Sequence, residues 1–215
     1  MNIFFDFDGT LADVSERHYA VYVRCLNTYE GQALPKEVYW DMKRRDVRWP
    51  EILSASRVDL ALEQDFLKQF IDLIESREFL AMDVLLPDAS RVLETLSSDA
   101  TVWLVSLRRN RDQLVWQLDT LGITHFFKGV LSGHSETKEG VLLKKAEEIR
   151  KATDVHPGDI IIGDTESEIA AAEQLGITCY SVDTGIRSSE FLRQLKPAHL
   201  VHSLSDVLVS LGSTH

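Results

Sequence analysis

The sequence is poor in several things, and each shortage excludes something. It has two cysteines, Cys25 and Cys179, too few for a disulfide framework. Each reads as a small buried hydrophobe. Basic residues are outnumbered: 23 Lys and Arg stand against 34 Asp and Glu, a formal net charge of -11. Such a chain lacks the basic face that binds a nucleic-acid backbone and the positive charge that holds a protein on anionic lipid. Neither partner is expected. No apolar run approaches membrane-spanning length. The first apolar strand stands at the amino terminus, so no signal peptide is expected before it and a cytoplasmic setting is expected. Repeats and low-complexity tracts are missing as well. What is present is a 44% hydrophobic content in 215 residues. That suffices for one ordinary domain with a full core, or one domain with an insertion.

The carboxyl-terminal part alternates short apolar strands with amphipathic stretches. Strands are expected at 101–106, 130–131, 159–163, 177–182 and, more weakly, 200–201. Helices are expected over 112–121, 138–151, 165–175 and 204–211, the first stopping at Gly122 and the third at Gly176. This alternation predicts an α/β fold, a Rossmann-like and mostly parallel sheet flanked by helices. Ligands on such sheets bind outside the carboxyl ends of the strands. Residues 14–83 break the pattern. They hold helical stretches, 14–29 and 65–79 among them, and no convincing strand. They read as a helical insertion, leaving residues 1–13 and 84–215 to form the core.

Four signals fall at strand ends or loops. In Phe4-Phe5-Asp6-Phe7-Asp8-Gly9-Thr10, two acids follow an apolar run from Ile3 that reads as a strand through Phe7. A buried strand has no structural use for them. Residues i and i+2 share a face, so the two carboxylates crowd together, and a cation or shared proton must offset their repulsion. A cation-assisted phosphoryl-transfer site is one solution. The second signal is Ser106, a hydroxyl ending a strand, and the third is Lys138, opening a helix, with Lys144 and Lys145 as rivals. The fourth is Gly163-Asp164 with Glu168 one helical turn on. Taken singly, the last three fit helix caps or solvated surface better than a functional role.

Together these residues resemble the haloacid dehalogenase-like superfamily of phosphatases, over nearly the whole length. Asp6, Asp8, Gly9 and Thr10 match its DxDGT motif, with Leu11 and Asp13 following. Ser106, Lys138, and Asp164 with Glu168 match the other three. The resemblance implies a phosphoglycolate phosphatase-like enzyme whose insertion, 14–83, is a helical cap domain. It implies Mg²⁺ on Asp6, Asp164 and the Asp8 backbone carbonyl, with Glu168 orienting the water shell. Asp6 would attack phosphorus, and Asp8 would serve as acid and then base. Ser106 and Lys138 would hold the transferring oxygens, beside Gly9, Thr10 and Leu107. The acid at Asp8 argues for phosphoryl chemistry over dehalogenation.

The substrate is expected to be a small phosphorylated metabolite, handled by a monomer or homodimer. Lys43, Arg44, Arg45 and Arg48, flanked by Trp40 and Trp49, form either a solvated face or a cluster that closes on an anion; Arg45 is the candidate contact. Arg108 is a second. With Arg109 and Arg111 it would begin a helix, where cations are unfavourable, so a bound anion or neighbouring acids must compensate. His18 reads as a structural histidine near the root of the insertion, and Trp103 and Trp116 as core. Two other readings remain: a phosphosugar mutase of the β-phosphoglucomutase type, and a catalytically weak phosphate-binding protein.

Overall fold

Strand pleating sorts the apolar runs of this chain into two layers. The computed structural model describes residues 1–212, the Lys138 side chain excepted. The chain opens with β1 (Asn2–Phe5) and β2 (Ala12–Asp13). Five helices follow: α1 (Ser15–Thr28), α2 (Lys36–Arg44), α3 (Trp49–Ala55), α4 (Glu63–Ile74) and α5 (Arg77–Leu80). Next come β3 (Val84–Leu85), α6 (Ala89–Asp99), β4 (Thr101–Ser106), α7 (Arg111–Thr120), β5 (Gly129–Ser132) and α8 (Lys138–Ala152). The chain ends through β6 (Ile160–Gly163), α9 (Glu166–Leu175), β7 (Thr178–Val182), α10 (Ser189–Gln194), β8 (His199–Val201) and α11 (Leu204–Gly212).

Six strands form one parallel sheet in the order β5-β4-β1-β6-β7-β8. Successive side chains point to opposite faces. Ile3, Phe5, Val102, Leu104, Ile160 and Ile162 therefore face α6, α7 and α11. Phe4, Val105, Ile161 and Cys179 face α8, α9 and α10. Both faces are covered, as parallel strands with continuous apolar runs require. The winding reverses at β1, between β4 and β6, which opens a crevice at their carboxyl ends.

The inserted helices have an apolar core of their own, including Val21, Tyr22, Cys25, Tyr39, Phe66 and Phe79. The Tyr22 and Tyr39 rings stack 4.2 Å apart. At the root of the insertion β2 pairs antiparallel with β3, Ala12 opposite Leu85 and Asp13 opposite Val84. No described helix is long and apolar enough to cross a membrane.

Several expectations need correction. The first strand ends at Phe5, not Phe7, so Asp6 and Asp8 lie in the turn after it. The Phe7 carbonyl accepts from the amides of Leu11 and Ala12 in that turn. The β2–β3 ladder and α10 are not announced by the sequence, because two-residue strands and a six-residue helix carry no measurable period. The helix expected over 65–79 is interrupted at Glu75 and Ser76, and α5 starts anew. Trp116 is not core: it lies half-buried beneath the Arg77 guanidinium, 5.0 Å from its ring centroid.

Candidate active site

Asp6 stands at the centre of the crevice. Its amide donates to the Ile162 carbonyl at 2.9 Å, continuing the sheet one residue beyond β1. Its carboxylate accepts from Lys145 Nζ, which also donates to Glu168 Oε1. All three side chains are buried. Glu168 is fixed in turn: Oε2 accepts from the Thr165 amide at 2.9 Å and Oγ1 at 2.8 Å, and Oε1 from Ser167 Oγ at 2.7 Å. This is the capping box of α9. Gly163 makes room for it, since a Cβ there would meet Glu168 Cγ at 2.1 Å. Burial pushes Asp6 up to about 7; Lys145 opposes the shift, while Glu168 and Asp8 add to it. Burial works against the Lys145 charge, but the two carboxylates raise its pKa and keep it an ammonium.

Asp164 sits deeper, with no solvent exposure. Thr10 Oγ1 donates to its Oδ1 at 3.0 Å, and the Ile186 amide to its Oδ2 at 2.6 Å. Gly9 (φ 82°) and Gly185 close around it; a Cβ on either would lie 2.3 or 2.2 Å from Asp164 Oδ2. Burial, then the nearby charges of Asp6 and Glu168, hold the Asp164 carboxyl well above its usual range. Among the described residues no three His, Cys, Asp or Glu side chains form a metal-binding group. Mg²⁺ needs only one or two carboxylates, with water and substrate oxygens completing its shell. Two buried carboxylates, both held above their usual range, fit a hard cation.

Asp8 is offset differently. Arg108 forks onto it, Nε to Oδ2 at 2.7 Å and Nη2 to Oδ1 at 2.6 Å, and Arg17 Nη2 reaches Oδ1 as well. Arg17 also donates to Asp83 Oδ1 and to the Ile74 carbonyl, each at 3.0 Å. Gln117 Nε2 donates to Asp83 Oδ2 at 2.8 Å. Burial alone would raise the Asp8 pKa, but the Arg108 and Arg17 guanidiniums hold it well below the carboxylate range. The repulsion between Asp6 and Asp8 is thus met first by the chain's own lysine and arginines.

A family model of haloacid dehalogenase-like hydrolases matches residues 3–182. The chain belongs to this family. Solved structures of the same fold include a haloacid dehalogenase-like family hydrolase from Streptococcus pneumoniae, 21% identical, with a TM-score of 0.77 over 98% of this chain and 97% of that one. A predicted phosphatase from Clostridium acetobutylicum is 17% identical, with a TM-score of 0.73 over 99% and 98%. A predicted phosphoglycolate phosphatase from Haemophilus somnus is 19% identical, with a TM-score of 0.69 over 97% and 96%. Comparison with the sequences of curated proteins gives no match.

In this haloacid dehalogenase-like hydrolase a cavity of about 260 Å³ opens between the sheet and the inserted helices. Asp6, Asp8, Ser106, Leu107, Arg108 and Lys145 line it, and Arg17, His18, Glu75 and Ile186 are also part of its wall. Gly9 and Thr10 do not reach it; they hold Asp164 instead. The lysine beside Asp6 is Lys145. Lys138 opens α8 seven residues earlier, and its side chain lies outside the described residues. Lys144 is paired with Glu147 and Glu148. Helix phase separates Lys145 from Lys144, because Lys145 shares a face with buried Ala146 and Ile149; Lys138, two turns earlier, has nearly the same phase and differs in its place along the axis. Glu168 does not face a metal site alone: Lys145, Thr165 and Ser167 occupy its oxygens.

Arg45 is not brought to the cavity. It is exposed and paired with Asp41, 2.7 Å away and one helical turn back. The compensation expected for Arg108 and its neighbours comes from acids: Asp8 and Asp83 beside Arg108, and Glu75, whose carboxylate accepts from the amides of Arg109 and Asn110. His18 packs between Trp40 and Phe70. Its Nδ1 is buried without a hydrogen-bond partner among the described residues. Sequence reasoning misses Arg17, Asp83 and Arg187, for they lie outside the family motifs and acquire a role only through pairing across the fold.

Proposed function

We propose that the chain is a Mg²⁺-dependent phosphatase that hydrolyses a small phosphate monoester through an aspartyl-phosphate on Asp6. The observation that carries this reading is the placement of Asp6 in a small cavity between Lys145 and Ser106, with a second acid two residues on. A dianionic phosphate ester repels a carboxylate nucleophile. Mg²⁺, held by Asp6, Asp164 and the Asp8 carbonyl, supplies charge neutralisation. Lys145 and the Ser106 hydroxyl offset the charge on the transferring oxygens. Asp6 attacks phosphorus, the bond to the leaving oxygen breaks, and the acyl-phosphate forms. Water then attacks phosphorus, Asp8 takes its proton, and Asp6 leaves as carboxylate.

The ionised, doubly clamped Asp8 suits the base role as it stands. To act as the acid it must exchange a guanidinium contact for a proton as substrate enters. Arg108 and Arg17 then offset charge on the leaving group. Residues 14–83 act as the cap, with residues 1–13 and 84–215 as the catalytic core. The cavity volume suits a phosphate group and a few carbon atoms.

The test is a panel of phosphomonoesters with and without Mg²⁺. The wild type releases inorganic phosphate from at least one of them, and Asp6→Asn releases none while remaining folded. Turnover surviving Asp6→Asn rejects the mechanism. Isomerisation without phosphate release would assign the same site to a mutase.

A further inference from the structure

Residues 183–188, between β7 and α10, touch the site on one side and the cap on the other. On the inner side the Ile186 amide donates to Asp164 Oδ2 at 2.6 Å, and Thr184 Oγ1 to the Gly9 carbonyl at 3.0 Å. Gly185 packs on both, since its Cβ would lie 2.4 Å from the Gly9 oxygen. On the outer side the end of α2 holds the same segment. The Ser188 amide donates to the Arg44 carbonyl at 2.9 Å, and Arg44 Nη2 donates to the Asp183 carbonyl. Arg187 makes the remaining ties: Nη1 donates to the Lys43 carbonyl at 3.3 Å, and Nη2 lies 2.9 Å from Asp46 Oδ1. It also forks onto Glu166, Nε to Oε2 and Nη2 to Oε1, each at 2.8 Å. Glu166 is the first residue of α9, two beyond Asp164.

We infer that Arg187 is a positioning residue that couples the seat of the cap to the carboxylate of Asp164. The inference rests on the Mg²⁺ site and the cap proposed above. Six residues cannot follow the cap at one end and stay indifferent to Asp164 in the middle. A shift of the α2 end carries Arg187 and Ser188 with it, and the adjoining Ile186 amide must lengthen or re-aim its bond. The hydrogen bond of a backbone amide to a carboxylate is among the stronger kinds. The coupling is reciprocal: whatever seats the cap tightens the ion, and the ion favours the seated cap. The plainer role for Arg187 is to staple the start of α9 through Glu166. That role gives no part to Asp46, which is 43% exposed and belongs to the cap.

Asp46 therefore discriminates between the two roles. Its backbone is left-handed, with φ 57°, a conformation asparagine accepts, so Asp46→Asn removes charge without straining the turn. Mg²⁺ alone is titrated calorimetrically into the full chain. Asp46→Asn is expected to weaken the ion about threefold, the range of a partly exposed ion pair, and Arg187→Gln about tenfold. The double variant is expected to be no weaker than Arg187→Gln, because both act through one contact. Wild-type affinity in Asp46→Asn overturns the inference, and so do fully additive effects. Should Arg187→Gln fail to fold, the Mg²⁺ affinity of Asp46→Asn alone still separates coupling from stapling. A wild type that binds no Mg²⁺ overturns the metal reading itself, a result distinct from bound Mg²⁺ that ignores Asp46.

Discussion

At the scale of single residues, Lys145 has the most to lose. It lies between two buried carboxylates, Asp6 and Glu168, and donates to both. Lys145→Met is expected to leave those charges facing each other uncompensated. Breaking a buried pair this way costs about 3–5 kcal/mol, measurable by denaturant unfolding, with turnover down by about 100-fold or more. Lys138→Ala is expected to retain most activity; equal losses in the two variants would refute the assignment to Lys145. Asp6, Asp8, Ser106 and Asp164 are legible in the sequence because strand-end acids and hydroxyls stand out against apolar runs. The lysine is not, since three candidates share one helix: its rotation against the sheet separates Lys145 from Lys144, and only the place along the axis separates Lys145 from Lys138. Arg17 and Arg108 illustrate the opposite limit. Both meet Asp8 across the fold, and no spacing along the chain announces a partner nine or a hundred residues away.

At the scale of elements, the loops that end β1, β6 and β7 act together. Asp164 is held from both sides by neighbours of glycines, Thr10 after Gly9 and Ile186 after Gly185. Gly185→Ala would drive a methyl to within 2.2 Å of Asp164 Oδ2 and 2.5 Å of Gly9 Cα. Backbone cannot yield there as a flexible side chain does. We expect a loss of about 1–3 kcal/mol in stability and a larger proportional loss of Mg²⁺ affinity than of phosphate affinity. Calorimetric titration of each ligand checks this, and undiminished Mg²⁺ binding would contradict it. Most elements are readable from period and apolar content. β4 spans the expected residues, and α7, α8, α9 and α11 fall within about one residue of expectation. The segment 183–188 is not readable, for its part in the site depends on backbone amides and on what glycine leaves empty.

At the scale of the whole molecule, one buried group ties stability to pH. His18 lies at the seam between the inserted helices and the core, and burial, with Arg17, Lys43 and Arg108 nearby, holds its pKa well below the usual value; Asp8 opposes them. The unfolded chain takes up a proton near pH 6.5, whereas the folded chain resists it. The contribution of His18 is therefore full above that pH and falls as the pH drops below it, by at most about 1.4 kcal/mol per pH unit, while Asp6, raised to about 7, and Asp83, raised to about 6, act in the opposite sense over the same range. From pH 7.5 to 5.5 the unfolding free energy of wild type should change less favourably than that of His18→Gln; parallel curves would remove His18 as the cause. The two apolar cores, one in the sheet layers and one in the inserted helices, are foreseeable from the break in strand–helix alternation at residues 14–83. The ladder between β2 and β3 is not, and it has a consequence of its own. Because the chain leaves and re-enters the core side by side, with the Leu86 amide on the Leu11 carbonyl at 2.9 Å, the five helices form a module inserted at one paired root. Exchanging the helices at that root would remove the ties that Lys43, Arg44 and Asp46 make to residues 183–188. The exchange would not be neutral, because Arg17 travels with the module and its departure releases one of the two clamps on Asp8.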